Sequence, residues 1–350
     1  MKKTTERTNE IREFILENLI DHPKDISSFA ANKFGISRQA ILRNIHSLTQ
    51  KKLIKYEGIT HDRKYSLVNI VDYEFGTFLN DLKEDKIWRE ELLPRLNNVP
   101  LNILQICQYG FTEMVNNAID HSGSERVFIH LIRTAININI TIRDWGIGIF
   151  NKIQIDLGLD DPISSILELS KGKLTTDPKH HTGEGIFFAS RMFDEYSILS
   201  GNLFFSHTGK GEKIEGSDWL ITDKKQKTQG TFISMEIRIK SPRSTRAVFD
   251  YYAGGDEYGF TKTVVPVLLA QYGNENLISR SQAKRLLTRF EKFKEIVLDF
   301  KQVDVIGQSF ADEIFRVFIT AHPEISLIPI NANEEVSKMI RRAQESSKIA

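Results

Sequence analysis

Two stretches, "RVFIHLI" from Arg126 to Ile132 and "NINITIRD" from Asn137 to Asp144, alternate apolar and polar side chains with only a short joint near Thr134 to Ile136. A period of two is the mark of a half-buried strand, and strands this close in sequence pair as a hairpin. "WLITD" and "GTFISMEIRI" repeat the pattern further along, and long helical stretches precede them. Helices followed by antiparallel strands predict an α+β sandwich over roughly 75–240, not alternating βαβ units. With 350 residues the chain has room for more than this one layer: at roughly 100–200 residues each, two or three domains are expected.

The first 70 residues have a different grammar. Ile11, Phe14, Ile15 and Leu19 form one apolar stripe, "DISSFAANKFG" is a short helix ending at Gly35, and Ser37 is placed to cap "RQAILRNIHSLTQKK". "LIKYEGITHDRKYSLV" then alternates around a turn near Gly58 to Asp62. Together these resemble the winged-helix DNA-binding family. The resemblance implies that Ser37, Arg38, Gln39, Arg43 and Asn44 face the groove of duplex DNA, with Arg63 and Lys64 on the wing meeting phosphates. Thirteen Lys or Arg against eight Asp or Glu leave a surplus of five positive charges here. Winged helices also dock proteins, so the segment alone leaves two partners open, DNA and protein. The whole chain has formal charge +1, so any nucleic-acid role rests on a local patch.

"FTEMVNNAIDHS", Phe111 to Ser122, sets two asparagines in mid-helix, where asparagine is a mediocre former. Glu113 and Asn117 are four apart and share a face, while Phe111, Met114, Val115 and Ala118 turn to the core. Taken alone this is either a solvated polar face or a site. "RDWGIG" then brings Asp144 to the end of a strand, followed by Gly146 and Gly148, and "HTGEGIFFASRMFD" sets Gly183 and Gly185 before a helix whose first N–H groups suit phosphate. This ordered set resembles the GHKL superfamily of Bergerat-fold ATPases. The resemblance implies ATP and Mg²⁺ as cofactors, with Glu113 as general base, Asn117 as Mg²⁺ ligand and Asp144 as acceptor for the adenine amino group. It also implies Gly146 and Gly148 around the adenine, Gly183 and Gly185 over the phosphates, and Thr231 beside the adenine. Residues of about 150–182 correspond to the family's ATP lid, from which Lys171, Lys173, Lys179, His180 and His181 would approach the triphosphate. "TGEGIFFASRMFDEYSI" is closest in make-up to the anti-sigma-factor serine kinase branch.

From about 244 the pattern is a small α/β layer: helix "SRSQAKRLLTRFEKF", strand "EIVLDF", helix "SFADEIFRVFITA", strand "ISLIPI" and helix "EEVSKMIRRA". "IVLDFKQVDVIGQSFADEIFRVF" resembles the STAS domain of anti-anti-sigma factors, and Ser309 falls on that family's phospho-accepting position. Gly307, Gln308 and Phe310 depart from the flanking pattern. Ser309 is therefore either a phospho-acceptor or an ordinary helix cap, and Asp299 and Asp304 either serve the same loop or bound the strand.

The expectation is a multi-domain α+β regulator: a winged helix over 1–70, a Bergerat-fold ATP module over 75–240 and a STAS-like domain over 244–350, with linkers near Val68–Glu74 and Ser241–Thr245. Its partners would be duplex DNA and a regulatory protein met through the STAS-like part, with a homodimer compatible. Chemistry would be ATP hydrolysis or serine phosphorylation, or nucleotide sensing without turnover. The single cysteine, Cys107, excludes an internal disulfide, and no apolar run reaches the roughly 20 residues of a membrane span. With no apolar segment behind "MKKTTERTNE", a cytoplasmic setting is expected.

Overall fold

The computed structural model describes residues 2–59, 62–174, 183–209, 217–222, 228–253, 259–271 and 276–346. Lys179, His180 and His181 lie outside the described residues.

The head has three helices, α1 (Lys2–Asn18), α2 (Ile26–Phe34) and α3 (Arg38–Gln50), followed by an antiparallel hairpin of β1 (Ile54–Glu57) and β2 (Lys64–Leu67). Gly35 ends α2 in the left-handed region at φ 61, and the Ser37 hydroxyl accepts a hydrogen bond from Ala40 N at 3.3 Å to start α3. Ile41, Ile45 and Leu48 recur at helical spacing and are buried with Ile11, Ile15 and Leu19. This small core is completed from outside the head, since Ala135 and Ile136 pack against it.

The middle of the chain opens with a strand, β3 (Val71–Phe78), so the expected linker over Val68–Glu74 shrinks to the few residues before Val71. A short helix α4 (Glu84–Ile87) runs through a π turn (Trp88–Leu92) and a 3-10 turn (Leu93–Arg95), and leads to α5 (Leu101–His121). Then come β4 (Arg126–Arg133), β5 (Asn137–Asp144), α6 (Ile149–Leu157), α7 (Pro162–Lys171) and α8 (Gly185–Met192). The layer closes with β6 (Glu195–Gly201), β7 (Leu203–Thr208), β8 (Ser217–Thr222) and β9 (Thr228–Arg238). The strands form one antiparallel sheet in the order β3-β4-β5-β9-β6-β7-β8. In register, Ile140 faces Met235 and Ile142 faces Ile233. These residues are buried with Ile103, Cys107, Phe111, Met114 and Ala118 of α5, a stripe with steps of three and four. Gly110 is part of the fit, because a Cβ there would overlap the Phe193 ring. β6 and β7 are strands that the sequence reading does not include.

The last part begins with α9 (Thr245–Tyr252), which packs on the helix layer just described: Phe249 meets Tyr109 at 5.5 Å and Phe188 at 4.6 Å between ring centres. Beyond it, β10 (Lys262–Pro266), α10 (Arg280–Leu287), β11 (Glu295–Asp299), α11 (Gln308–Asp312), a π turn (Glu313–Phe318), α12 (Ile319–Ala321), β12 (Ser326–Ile330) and α13 (Glu334–Ser346) follow. The sheet is parallel, β10-β11-β12. The helix expected through "SRSQAKRLLTRFEKF" stops early, because Thr288 turns extended and Arg289 adopts φ 67. The chain is thus a multi-domain α/β protein, and among the described residues no helix is long and apolar enough to cross a membrane.

Candidate ligand-binding site

α5 presents Glu113, Asn116, Asn117 and His121 to a cavity of ≈ 290 Å³. They are half-buried, which separates them from an ordinary solvated face. The remaining walls come from far along the chain: Asp144 at the end of β5, Thr231 and Ile233 on β9, Lys152 and Ile153 on α6, Leu169 and Leu174 in and after α7, and Gly183 and Gly185 before α8. Six of the expected site residues, Glu113, Asn117, Asp144, Gly183, Gly185 and Thr231, therefore line one space.

Asp144 is buried in the wall of this space, which Ile142, Ile149 and Ile233 also line. Its Oδ1 accepts hydrogen bonds from Gly146 N at 2.9 Å and Thr231 N at 3.2 Å, and Thr231 Oγ1 accepts one from Ile149 N at 3.1 Å. Burial pushes the Asp144 carboxyl up from its ordinary value, against the pull of the Gly146 and Thr231 donors. Gly146 and Gly148 do not line the cavity but let the chain turn beside it. A Cβ at Gly146 would collide with Ser122 O, and Gly148 has φ 84, with a Cβ there 2.5 Å from Ser200 Oγ.

Elsewhere in the wall, a Cβ on Gly185 would collide with the Glu113 carboxylate. The start of α8, whose first turn has no side-chain cap, therefore rests on Glu113. Gly183 adopts φ 70, and Glu184 between the two glycines has its carboxyl raised by burial and lowered by Lys173. Tyr109, one turn before Glu113, has its phenol raised by burial and then by the charges of Glu113 and Glu184. Asn116, His121 and Lys152 are lining groups that the sequence reading does not assign. Lys152 sits in a segment read as lid loop, and α6 turns it to the cavity, with Nζ 3.0 Å from Asp156. Lys171 and Lys173 bond to the C-terminal part instead and are not among the lining residues.

In the head, Ser37 is exposed at the cap of α3, Arg38, Gln39 and Arg43 are exposed on α3, and Lys64 is exposed on the hairpin. The Ser37 hydroxyl is the cap of α3, and Arg38 Nε donates to Ser27 Oγ at 2.9 Å. Asn44 differs from expectation: its Oδ1 accepts from Arg12 Nε at 3.2 Å and its Nδ2 donates to Ala40 O at 3.1 Å, so its amide serves the head's own packing. Arg63 lies over the Tyr56 ring at 4.2 Å.

Ser309 is exposed on the first turn of α11, and Gly307 holds the cap position. The cap alternative for Ser309 is thereby corrected: Gly307 is drawn so close to Ile278 that the helix starts one residue before the serine. Ser309 is not among the residues lining the cavity. Asp299 bounds its strand, accepting from Lys301 N and Asn331 Nδ2, both at 2.9 Å.

Residues 282–337 match the model of a family described as a STAS-like domain of unknown function (DUF4325). The STAS-like match takes in α10, β11, α11, β12 and the start of α13, and so includes Ser309. A search of curated proteins found no match, and a search of solved structures found none.

Proposed function

We propose that the chain is an ATP-dependent regulator, in which a GHKL-type module binds Mg-ATP in the α5 cavity and couples it to a DNA-binding winged-helix head and a STAS-like domain. The observation that supports this most is the convergence of Glu113, Asn117, Asp144, Gly183, Gly185 and Thr231, scattered over some 120 positions, on a single cavity. The lining chemistry fits the nucleotide. A buried carboxylate among isoleucines suits a flat ring with an amino donor, and uncapped helix amides with Lys152 suit phosphate oxygens. Among the described residues no cluster of three or more His, Cys, Asp or Glu is arranged to hold a metal ion. Magnesium needs no such cage when phosphates supply most of its ligands, so the Asn117 amide oxygen would serve as the protein's contribution.

When bound, Mg-ATP supplies a transferable γ-phosphoryl group. Glu113, resting against the start of α8, would accept the proton of the attacking hydroxyl or water, and the Gly183–Gly185 turn would bring backbone N–H groups to the phosphates. Because Ser309 does not line the cavity, hydrolysis is favoured over transfer to the chain's own serine, and label on Ser309, if found, would come from a second copy. For the head, exposed Arg38, Gln39, Arg43 and Lys64 support binding to duplex DNA, with protein docking as the alternative.

The test is γ-labelled ATP with Mg²⁺, following free phosphate and protein-bound label in the wild type, Glu113→Ala and Ser309→Ala. Free phosphate that depends on Glu113 and not on Ser309 is expected. Label on protein that requires both residues would establish serine phosphorylation instead, and neither product despite nucleotide binding would point to a sensor without turnover.

A further inference from the structure

The wall of the cavity on the α7 side is built from residues that are bonded to the C-terminal domain. Lys171, the last residue of α7, is fully buried. Its Nζ donates to Glu168 Oε1 at 2.6 Å, to Thr288 O at 2.9 Å and to Arg285 O at 3.3 Å. Two of these acceptors are carbonyls at the C-terminal end of α10, where the helix dipole favours a cation. Glu168, also buried, receives Arg289 NH1 on its other oxygen at 3.0 Å. Arg289 reaches it from the left-handed turn after α10 and also donates to Gly172 O at 3.2 Å and to Lys173 O.

The backbone takes part as well. Thr263 on β10 donates its hydroxyl to Lys171 O at 2.8 Å, and Lys173 Nζ donates to Lys292 O at 2.8 Å while lying over the Phe293 ring at 5.0 Å. Between and beside these bonded residues are Leu169 and Leu174, which line the cavity. A buried cluster of two cations and one anion is weak evidence of stabilisation, because desolvation offsets its attraction. It is better suited to fixing one arrangement of two surfaces, since removing Glu168 leaves both cations without their anion and removing either cation leaves one carboxylate oxygen without its donor.

We propose that the C-terminal domain works in cis as a clamp on the nucleotide cavity, with Glu168, Lys171 and Arg289 as positioning residues that hold the Leu169–Leu174 wall. Resting on the nucleotide reading above, the clamp makes the STAS-like domain sense occupancy: a ligand that needs the wall in place strengthens the junction, and loss of the junction weakens the ligand by the same factor. A partner that pulled the STAS-like domain away would therefore release nucleotide, and excess nucleotide would oppose that partner.

The experiment is amide hydrogen exchange on the full chain, with and without Mg-ATP, together with calorimetric titration of Mg-ATP. It compares the wild type with Arg289→Ala and with Glu168→Gln, which keeps the side-chain volume. In wild type, Mg-ATP is expected to slow exchange at 163–174 and at 285–292. Without nucleotide, either variant is expected to speed exchange at 163–174 at least tenfold while α5 is unchanged, and to weaken Mg-ATP at least fivefold. Unchanged exchange at 163–174 in both variants overturns the clamp, whatever the titration shows. Faster exchange with unaltered Mg-ATP affinity overturns the coupling. No binding of Mg-ATP by the wild type overturns the nucleotide reading, and the coupling with it, while the nucleotide-free exchange still decides the clamp.

Discussion

The cavity module meets its two neighbours in opposite ways. Towards the head, Ala135 and Ile136 at the tip of the β4–β5 hairpin slot into a small apolar core, and Lys240 pairs with Glu13 on the surface. Towards the C-terminal domain, a buried triad and several backbone acceptors lock α7 against α10 and β10. The first junction is a small apolar insertion; the second joins a shared apolar core, where Phe187 and Phe188 meet Phe260 at 4.6 and 5.0 Å between ring centres, to bonds that demand particular atoms in particular places. Geometry differs too. β5 carries the hairpin tip at one end and Asp144 at the other, so the head touches the cavity through the length of a strand. The C-terminal domain grips the cavity wall itself. A ligand signal should therefore reach the STAS-like domain more directly than the head.

The largest expected difference is in stability. Glu168→Ala leaves the buried Lys171 and the part-buried Arg289 without their anion and should cost about 3–5 kcal/mol in urea unfolding. At the other junction Glu13→Ala removes only a surface pair, with about 0–1 kcal/mol expected in the same measurement. Equal costs would erase the contrast. A second effect is pH dependence. Burial pulls the Lys171 ammonium down to about 8, despite the support of Glu168. The unfolded chain titrates this lysine near ~10.4, so between the two values the unfolded state holds the extra proton and this group's share of stability rises with pH. The burial cost is fully present below about 8 and fades above it. Relative to Lys171→Met, the wild type should gain urea resistance between pH 7.5 and 9.5; a parallel response of the two proteins would contradict the assignment.

The helices of the head, β4, β5 and β9 were legible because each presents one buried face at its proper period. α5 was legible for the same reason, with Ile103, Cys107, Phe111, Met114 and Ala118 as its stripe. β6 and β7 were not, since α8 gives way to Glu195 with only Phe193 and Asp194 between them and no Gly or Pro to mark the change. Within the site, Glu113, Asn117 and Asp144 stood out because polar groups at those positions need a reason. Lys152 did not, as its facing depends on α6 forming inside a segment that reads as loop. The role of Asn44 was hidden by Arg12, which is 32 positions away and brought near only by packing of α1 on α3. Lys171 reads in sequence as a lid lysine that would approach the triphosphate, and nothing local in sequence announces that Arg285 and Thr288 will surround it.

Nucleotide coupling requires that the α5 cavity take Mg-ATP through Asp144. Calorimetric titration of Mg-ATP into the full-length wild type and Asp144→Asn decides it. A one-to-one isotherm for the wild type, weakened at least tenfold in Asp144→Asn while both proteins unfold with similar urea midpoints, is the predicted result. No binding by the wild type, or equal binding by the two, would contradict it.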